Sequence, residues 1–187
     1  MQETTLSNER GRQEEVVLVN EQDEPLGAME KMEAHKKALL HRAFSVFIFN
    51  AKGEMLLQQR ALQKYHSAGL WTNACCSHPR PDEDIRDAAM RRLDEELGFT
   101  TALEKIFTFT YRSEFGNGLT EHEFDHVFIG RYDQVIYPNT EEVSDHCFKT
   151  LDEIRADMQS DPGKYTSWFH LAFPMVCKWA EERSPAR

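Results

Sequence analysis

Positive charge is in deficit, cysteine is scarce and long apolar runs are missing from these 187 residues. Lysine and arginine number 22 against 32 aspartates and glutamates, a formal net charge of −10. That sign excludes a general nucleic-acid binder but leaves room for a local basic pocket that takes a small anion. No apolar run approaches the roughly 20 residues of a membrane helix, so no membrane partner is expected. The opening stretch MQETTLSNERGRQEE has neither the apolar core of a signal peptide nor the arginine-rich, acid-poor bias of a transit peptide. Residues 1–15 therefore read as a polar, solvated tail. The four cysteines, Cys75, Cys76, Cys147 and Cys177, show no disulfide-framework spacing. Without an export signal they are expected as thiols in a reducing compartment, the cytoplasm. Repeats, low-complexity tracts and linkers are absent too, and residues 16–187 are expected to fold as one domain.

What is present alternates strands with helices. EEVVLVNEQDEPLGAMEK reads as strand, turn and strand, and RAFSVFIFNAKGEMLLQQR as a hairpin turning at Gly53. IFTFTYRSEF and TEHEFDHVFIGRY form another pair across GNGL. The strongest helix is DEDIRDAAMRRLDEELG, with Asp82 predicted as N-cap and Gly98 as its stop. A second helix, TLDEIRADMQ, follows a Thr150 cap. A last one, WFHLAFPMVCKWAEER, carries Pro174 either as an early kink or as its true start. Strands around one central helix, with further helices at the end, predict a mixed α/β (α+β) sandwich.

The central helix holds a carboxylate where an apolar residue belongs. At 100° per residue from Ile85, Ala89, Leu93 and Leu97 define an apolar stripe spanning about 120°. Glu96 falls within it and Arg92 at its edge. Burying a carboxylate is costly without a cation or donors to meet it. An Arg92–Glu96 ion pair answers that only weakly; a bound metal or anion accounts better for both charges. Elsewhere AHKKALLHRAFS carries His35 and His41, the second immediately before an apolar strand, Glu121 and Glu123 share one strand face, and His78 follows the paired cysteines. Each alone is ordinary. Together, three imidazoles and two carboxylates make a mixed N/O donor set suited to a divalent metal, whereas the CxxC pairs of structural zinc modules are missing. In an extended TNACCSHP, Cys76 and His78 share a face and Cys75 faces the other way. On composition and spacing alone, the chain reads as a metalloenzyme of unknown reaction.

The helix and its approach resemble a degenerate Nudix box, matched at Ser77, Glu83, Arg91, Arg92, Leu93, Glu95, Glu96, Gly98 and Phe99. Ser77 replaces the leading glycine, and Arg92 replaces a glutamate that Nudix hydrolases use for Mg²⁺ binding. AHKKALLHRAFSVFIFN, QQRALQK, GLWTNACCSHP, RRLDEELG, YRSEF, EHEFDHVF and YTSWF then run in the order seen in type I isopentenyl-diphosphate isomerases, over residues 16–183. The resemblance implies a Nudix-like sandwich and the interconversion of isopentenyl and dimethylallyl diphosphate through a tertiary carbocation, a step of isoprenoid biosynthesis. It implies His35, His41, His78, Glu121 and Glu123 as ligands of Mn²⁺, Zn²⁺ or Mg²⁺. A second ion, Mg²⁺, is implied on Glu96 and the substrate diphosphate. Lys31, Arg60, Lys64 and Arg92 match diphosphate-binding positions. Glu123 and Tyr111 match the proton-delivering side, Cys76 the opposite side, and Trp168 a ring facing the cation. A nearby metal or cation is expected to favour the Cys76 thiolate. The implied partner is a small prenyl diphosphate, and the chain is expected as a monomer, with a dimer as the alternative. A Nudix hydrolase of a nucleotide or prenyl diphosphate, and a non-catalytic Nudix-like binding module, are the competing readings.

Overall fold

A computed structural model describes residues 14–64, 66–115 and 117–183; the tail before residue 14 lies outside them. The chain opens with β1 (Glu15–Val19) and β2 (Pro25–Glu30), as the spacing predicts. Next come α1 (Lys31–Lys36), β3 (His41–Phe49), β4 (Met55–Arg60), β5 (Trp71–Thr72) and β6 (Cys75–Ser77). Then follow α2 (Ile85–Leu97), β7 (Glu104–Glu114), β8 (Thr120–Arg131) and β9 (Val143–Lys149). Helices α3 (Leu151–Ser160) and α4 (Ser167–Arg183) close the described chain. No helix among the described residues is long and apolar enough to cross a membrane.

The expected hairpin of β3 and β4 opens almost at once. The two strands pair at Phe49 and Met55, beside the turn. One edge of β3 is taken by β8, in parallel, from His41 opposite Glu123 to Phe49 opposite Arg131. Its other edge is shared: Leu18 of β1 faces His41, β6 faces Phe44 to Val46, and β4 takes Phe49. β6, which carries the paired cysteines, is thus wedged where a simple hairpin would have placed β4. β4 pairs instead with β9 and β5. β7 and β8 form the expected antiparallel pair.

β3 is buried on both faces, which explains its nearly continuous apolar run. Phe44, Val46 and Ile48 pack with Ala88, Ala89, Leu93 and Leu97 of α2. Phe47 and Phe49 face the opposite layer, with Ile154 of α3 and Phe169, Phe173 and Val176 of α4. The result is a sheet between helices, the mixed sandwich that the pattern predicts.

Helix ends were partly legible. Thr150 caps α3 through a capping box with Glu153, and Gly98 ends α2 in the left-handed region at φ 73°. A Cβ on Gly98 would lie 2.5 Å from the Tyr137 carbonyl oxygen, so close approach also requires glycine. The N-cap of α2 is Asp84, not Asp82: the Asp84 carboxylate accepts from the Arg86 and Asp87 amides. Asp82 sits in the preceding turn at φ 65°. α4 begins at Ser167 and runs through Pro174, so the proline does not set its start. α1, β5, β6 as a paired strand and β9 were not anticipated; all are short or weakly patterned.

Candidate active site

The imidazole cluster is built from local backbone. Glu30 caps α1 by accepting from the Met32 and Glu33 amides, and the helix turns His35 inward. His35 Nδ1 lies 2.6 Å from the Lys31 carbonyl and His41 Nδ1 lies 2.8 Å from the Leu39 carbonyl. Each Nδ1 must therefore carry the hydrogen, which leaves a lone pair on Nε2. Both Nε2 atoms are buried without a hydrogen-bond partner. His78 Nε2 stands 2.8 Å from Glu123 Oε1, and ligand atoms of His35, His41, His78 and Glu123 lie within 4.8 Å of one another. Burial holds His41 down at about 4 and pushes His78 well below the usual imidazole range, so both rings are neutral. Neutral imidazoles with orphaned lone pairs beside a carboxylate fit a divalent cation.

Glu121 stands beside this cluster. Its Oε1 is 3.6 Å from His35 Nε2 and 3.1 Å from His66 Nε2. Tyr111, opposite Glu123 in the β7–β8 register, places its hydroxyl 2.7 Å from Glu123 Oε2 and 3.1 Å from Glu121 Oε2. Two buried carboxylates this close cannot both ionise cheaply. Burial and the Glu121 charge push Glu123 well up. Burial acts on Glu121 too, but the hydrogen bond with Glu123 and the neighbouring His66 imidazole outweigh it and hold that carboxyl low.

Across the cleft, the paired cysteines separate by face as strand alternation demands. Cys75 is fully buried in the α2-facing core, whereas Cys76 lines the cleft. Cys76 Sγ donates to Asn73 Oδ1 at 3.1 Å and lies 3.3 Å from Ser45 Oγ, which donates to Asp125 at 2.6 Å. In the free site the thiol, not the thiolate, is favoured. Burial and the neighbouring Asp125 carboxylate raise the Cys76 thiol, so sulfur is protonated. Burial likewise lifts Asp125 to about 7.

The cations gather at the remaining side of the cleft. Arg92 donates to Glu96 at 2.6 Å and to Glu95 at 2.7 Å, so the ion pair expected from the helix wheel forms, and Gln58 adds a donor to Glu96 at 3.0 Å. Lys31 pairs with Glu14 at 2.9 Å, and Lys64 pairs with Glu142. The guanidinium of Arg60 stands 5.3 Å from the Trp168 ring centroid. All four cations, with Cys76, His78, Glu96, Tyr111, Glu121, Glu123 and Trp168, line one cleft. Glu83, by contrast, is held by Arg91 at 2.7 and 2.9 Å and does not line that cleft.

His66 was missed. Its ring lies between Phe115, stacked at 4.9 Å, and the edge of Trp168 at 5.8 Å, while Nε2 reaches Glu121. It sits in a loop between QQRALQK and GLWTN, where no periodicity marks an inward side chain. Only the closing of that loop over β8 brings it to Glu121.

A sheet between helices, with a charged cleft served by the central helix, defines a Nudix-fold protein. The NUDIX domain model matches residues 39–169. The fold is similar to that of DR0079 from Deinococcus radiodurans, with a TM-score of 0.65, 20% identity and coverage of 79% of this chain and 90% of that one. It is also similar to a MutT protein from Methanosarcina mazei, with a TM-score of 0.62, 20% identity and coverage of 78% and 96%. Sequence narrows the class further. The chain is 52% identical to an isopentenyl-diphosphate Delta-isomerase of Pectobacterium atrosepticum, over 87% of this chain and 90% of that protein. It is 45% identical to one from Burkholderia multivorans, over 90% and 98%. The chain belongs to the isopentenyl-diphosphate Delta-isomerase family.

Proposed function

We propose that this chain interconverts isopentenyl and dimethylallyl diphosphate by adding a proton at one carbon and removing one at another. Its relatives of that name cover nearly the whole described chain. The observation that carries the chemistry is the pairing of two acid–base centres in one cleft: Cys76 on one wall, Glu123 with Tyr111 on the other. A tertiary carbocation in water would be trapped, so an acid and a base must face each other across a dry space.

In the forward direction Glu123, assisted by Tyr111, delivers a proton to the terminal alkene carbon. A C–H bond forms there and the positive charge develops at the branched carbon. Cys76 then removes a proton from the carbon beside the CH₂O group, and that electron pair becomes the new double bond. Forward turnover needs the thiolate: the hydrogen that Cys76 holds towards Asn73 in the free site passes to water before the substrate fills the cleft, and the thiol then formed with the substrate's proton is the acid of the reverse reaction. Trp168 offers its π-system to the developing cation, worth about 2 kcal/mol in a desolvated site. Lys31, Arg60, Lys64 and Arg92 bind the diphosphate; three of them release carboxylate partners to do so.

Family membership brings divalent-metal dependence with it. The proposed ligands are His35, His41, His78, Glu121 and Glu123 for Mn²⁺, Zn²⁺ or Mg²⁺, and Glu96 with substrate oxygens for Mg²⁺. When bound, these ions supply charge neutralisation and Lewis acidity. The setting that goes with this reading is the cytoplasm, for a monomer acting on a free small molecule. Residues 16–187 act as one isomerase domain, which also takes in the last two residues of the expected 1–15 tail, since Glu15 opens β1 and Glu14 pairs with Lys31.

Incubation of isopentenyl diphosphate with the protein and Mg²⁺ in D₂O, followed by NMR, tests this. Dimethylallyl diphosphate carrying deuterium, with the diphosphate intact, is expected. Released phosphate or monophosphate would establish a hydrolase instead, and absence of exchange would leave a non-catalytic module.

A further inference from the structure

The thiol and the indole on this side of the cleft are joined by a buried chain of hydrogen bonds. Trp168 Nε1–H donates to Thr72 Oγ1 at 2.9 Å. Thr166 Oγ1 donates to the same oxygen at 3.1 Å, and Thr72 Oγ1 donates in turn to Asn73 Oδ1 at 2.9 Å. Asn73 Oδ1 also accepts the Cys76 thiol at 3.1 Å. The amide nitrogen of Asn73 donates to the Val46 and Cys75 carbonyls at 3.0 and 2.9 Å.

Counting donors and acceptors shows how tightly this is specified. An indole N–H can only donate, so Thr72 must accept there. A threonine hydroxyl has one hydrogen and two lone pairs, and Thr72 uses all three. An asparagine amide has two hydrogens and two oxygen lone pairs, and Asn73 uses all four. Two backbone carbonyls on the nitrogen forbid the flipped amide, which would set oxygen against oxygen. Thr72, Asn73 and Thr166 are buried, where an unmatched polar atom is costly, so no member of the chain can turn alone. The thiol hydrogen is thereby aimed at Asn73, into the protein, which leaves the sulfur itself on the cleft.

We propose that Thr72 and Asn73 are positioning residues that hold the Cys76 sulfur and the Trp168 ring as one rigid wall. The proposal rests on the reading of Cys76 and Trp168 given above. Neither Thr72 nor Asn73 lines the cleft, so both act through their neighbours. Strand β5 and helix α4 come from distant parts of the chain, and the Thr72 hydroxyl is where their polar contacts converge. A rigid wall matters because misplacing a reacting group by about 1 Å can cost about 10²-fold in rate.

The test compares Thr72→Val, Thr72→Ser and Thr166→Val in the full-length protein, by steady-state kinetics and by the ¹⁵N NMR resonance of the Trp168 indole. Thr72→Val is expected to shift that resonance and to lower kcat by about 10²-fold, with KM within about threefold, because the diphosphate contacts are untouched. Thr72→Ser restores the hydroxyl and should recover both. Thr166→Val removes a hydroxyl that reaches neither functional group and should stay within about threefold of wild type. Should Thr72→Val fail to fold, Thr72→Ala removes the same hydroxyl without placing a methyl against Asn73. Wild-type kcat in the folded Val or Ala variant, an unmoved indole resonance, or no rescue by serine overturns the brace. A wild-type protein that exchanges no hydrogen with D₂O overturns the isomerase reading instead, and with it the catalytic meaning of the brace.

Discussion

The two charged ends of the cleft are organised by opposite means. At the imidazole end, backbone carbonyls of Lys31 and Leu39 hold Nδ1 of His35 and His41, and the outward-facing Nε2 atoms are left unmatched. At the cationic end, Lys31, Lys64 and Arg92 are all matched, by Glu14, Glu142 and Glu96. The first end is preorganised for a cation and keeps that deficit in the free protein. The second end holds its positive charges in ion pairs that an anion must replace. On the proposed reading, a metal completes one end, whereas a diphosphate competes at the other.

The largest expected effect breaks the imidazole end. Exhaustive chelation should reduce hydrogen exchange to background, and Mn²⁺, Zn²⁺ or Mg²⁺ should restore it, because unmatched neutral imidazoles bind nothing else so well. Full activity in protein shown metal-free by elemental analysis would remove the basis of the contrast.

Between the two ends lies the thiol. Cys76→Ala should lose about 10²–10⁴-fold in kcat while remaining folded, and Cys76→Ser should remain poor. Cys75→Ala should retain most activity and lose about 1 kcal/mol of stability from a small core cavity. Turnover and melting temperature, measured side by side, separate the faces; an inactive Cys75→Ala beside a normal Cys76→Ala would invert them.

The cationic end is sharpened by Arg92→Glu. This change restores a box glutamate but sets a carboxylate beside Glu96 where an anion must bind. The loss of a charge-assisted contact, about 1.5–3 kcal/mol, corresponds to about 10- to 10²-fold in KM, with no gain of diphosphate cleavage. Efficient release of monophosphate by the variant would show that the arginine merely blocks hydrolysis.

The smallest effect is on pH dependence. His41 has a folded value of about 4 against an ordinary 6.5. Between those values the unfolded chain binds the proton that the native chain refuses, so stability rises with pH there. In the metal-free fold the His41 contribution carries no penalty above pH 6.5 and costs progressively more as pH falls towards 4, against the opposite slope of Asp125, whose carboxyl burial raises to about 7. His41→Asn should flatten that part of a stability-versus-pH curve; an unchanged slope would mean that the ring is not held neutral by burial.

Much of this was legible because some properties are local. The opposite faces of Cys75 and Cys76 follow from strand alternation, and the inward Glu96 follows from helical periodicity. Gly98 and Thr150 mark helix ends by chemistry confined to one turn. Asp84 takes the cap because its carboxylate meets the first amides of α2, whereas Asp82 stands in the preceding turn at φ 65°. His66, Ser45 and Asp125 carry no such local mark, since each matters through a partner that is far away in sequence or on another strand.

The chain's own order of residues determined the mixed sandwich, the two faces of TNACCSHP, the buried carboxylate of α2 and the set of imidazoles and carboxylates offered to a metal. Tertiary structure alone decided that β6 takes the edge of β3 that a simple hairpin would have given to β4, that β8 runs parallel to β3 with Glu123 beside His41, and that Trp168 shares Thr72 and Asn73 with Cys76. The physical reason is the range of the forces. Side-chain direction is set by the backbone dihedrals of neighbouring residues. Which strand edge meets which, and which polar atoms must then be matched in the dark between them, is settled only when apolar faces from the whole chain are buried together.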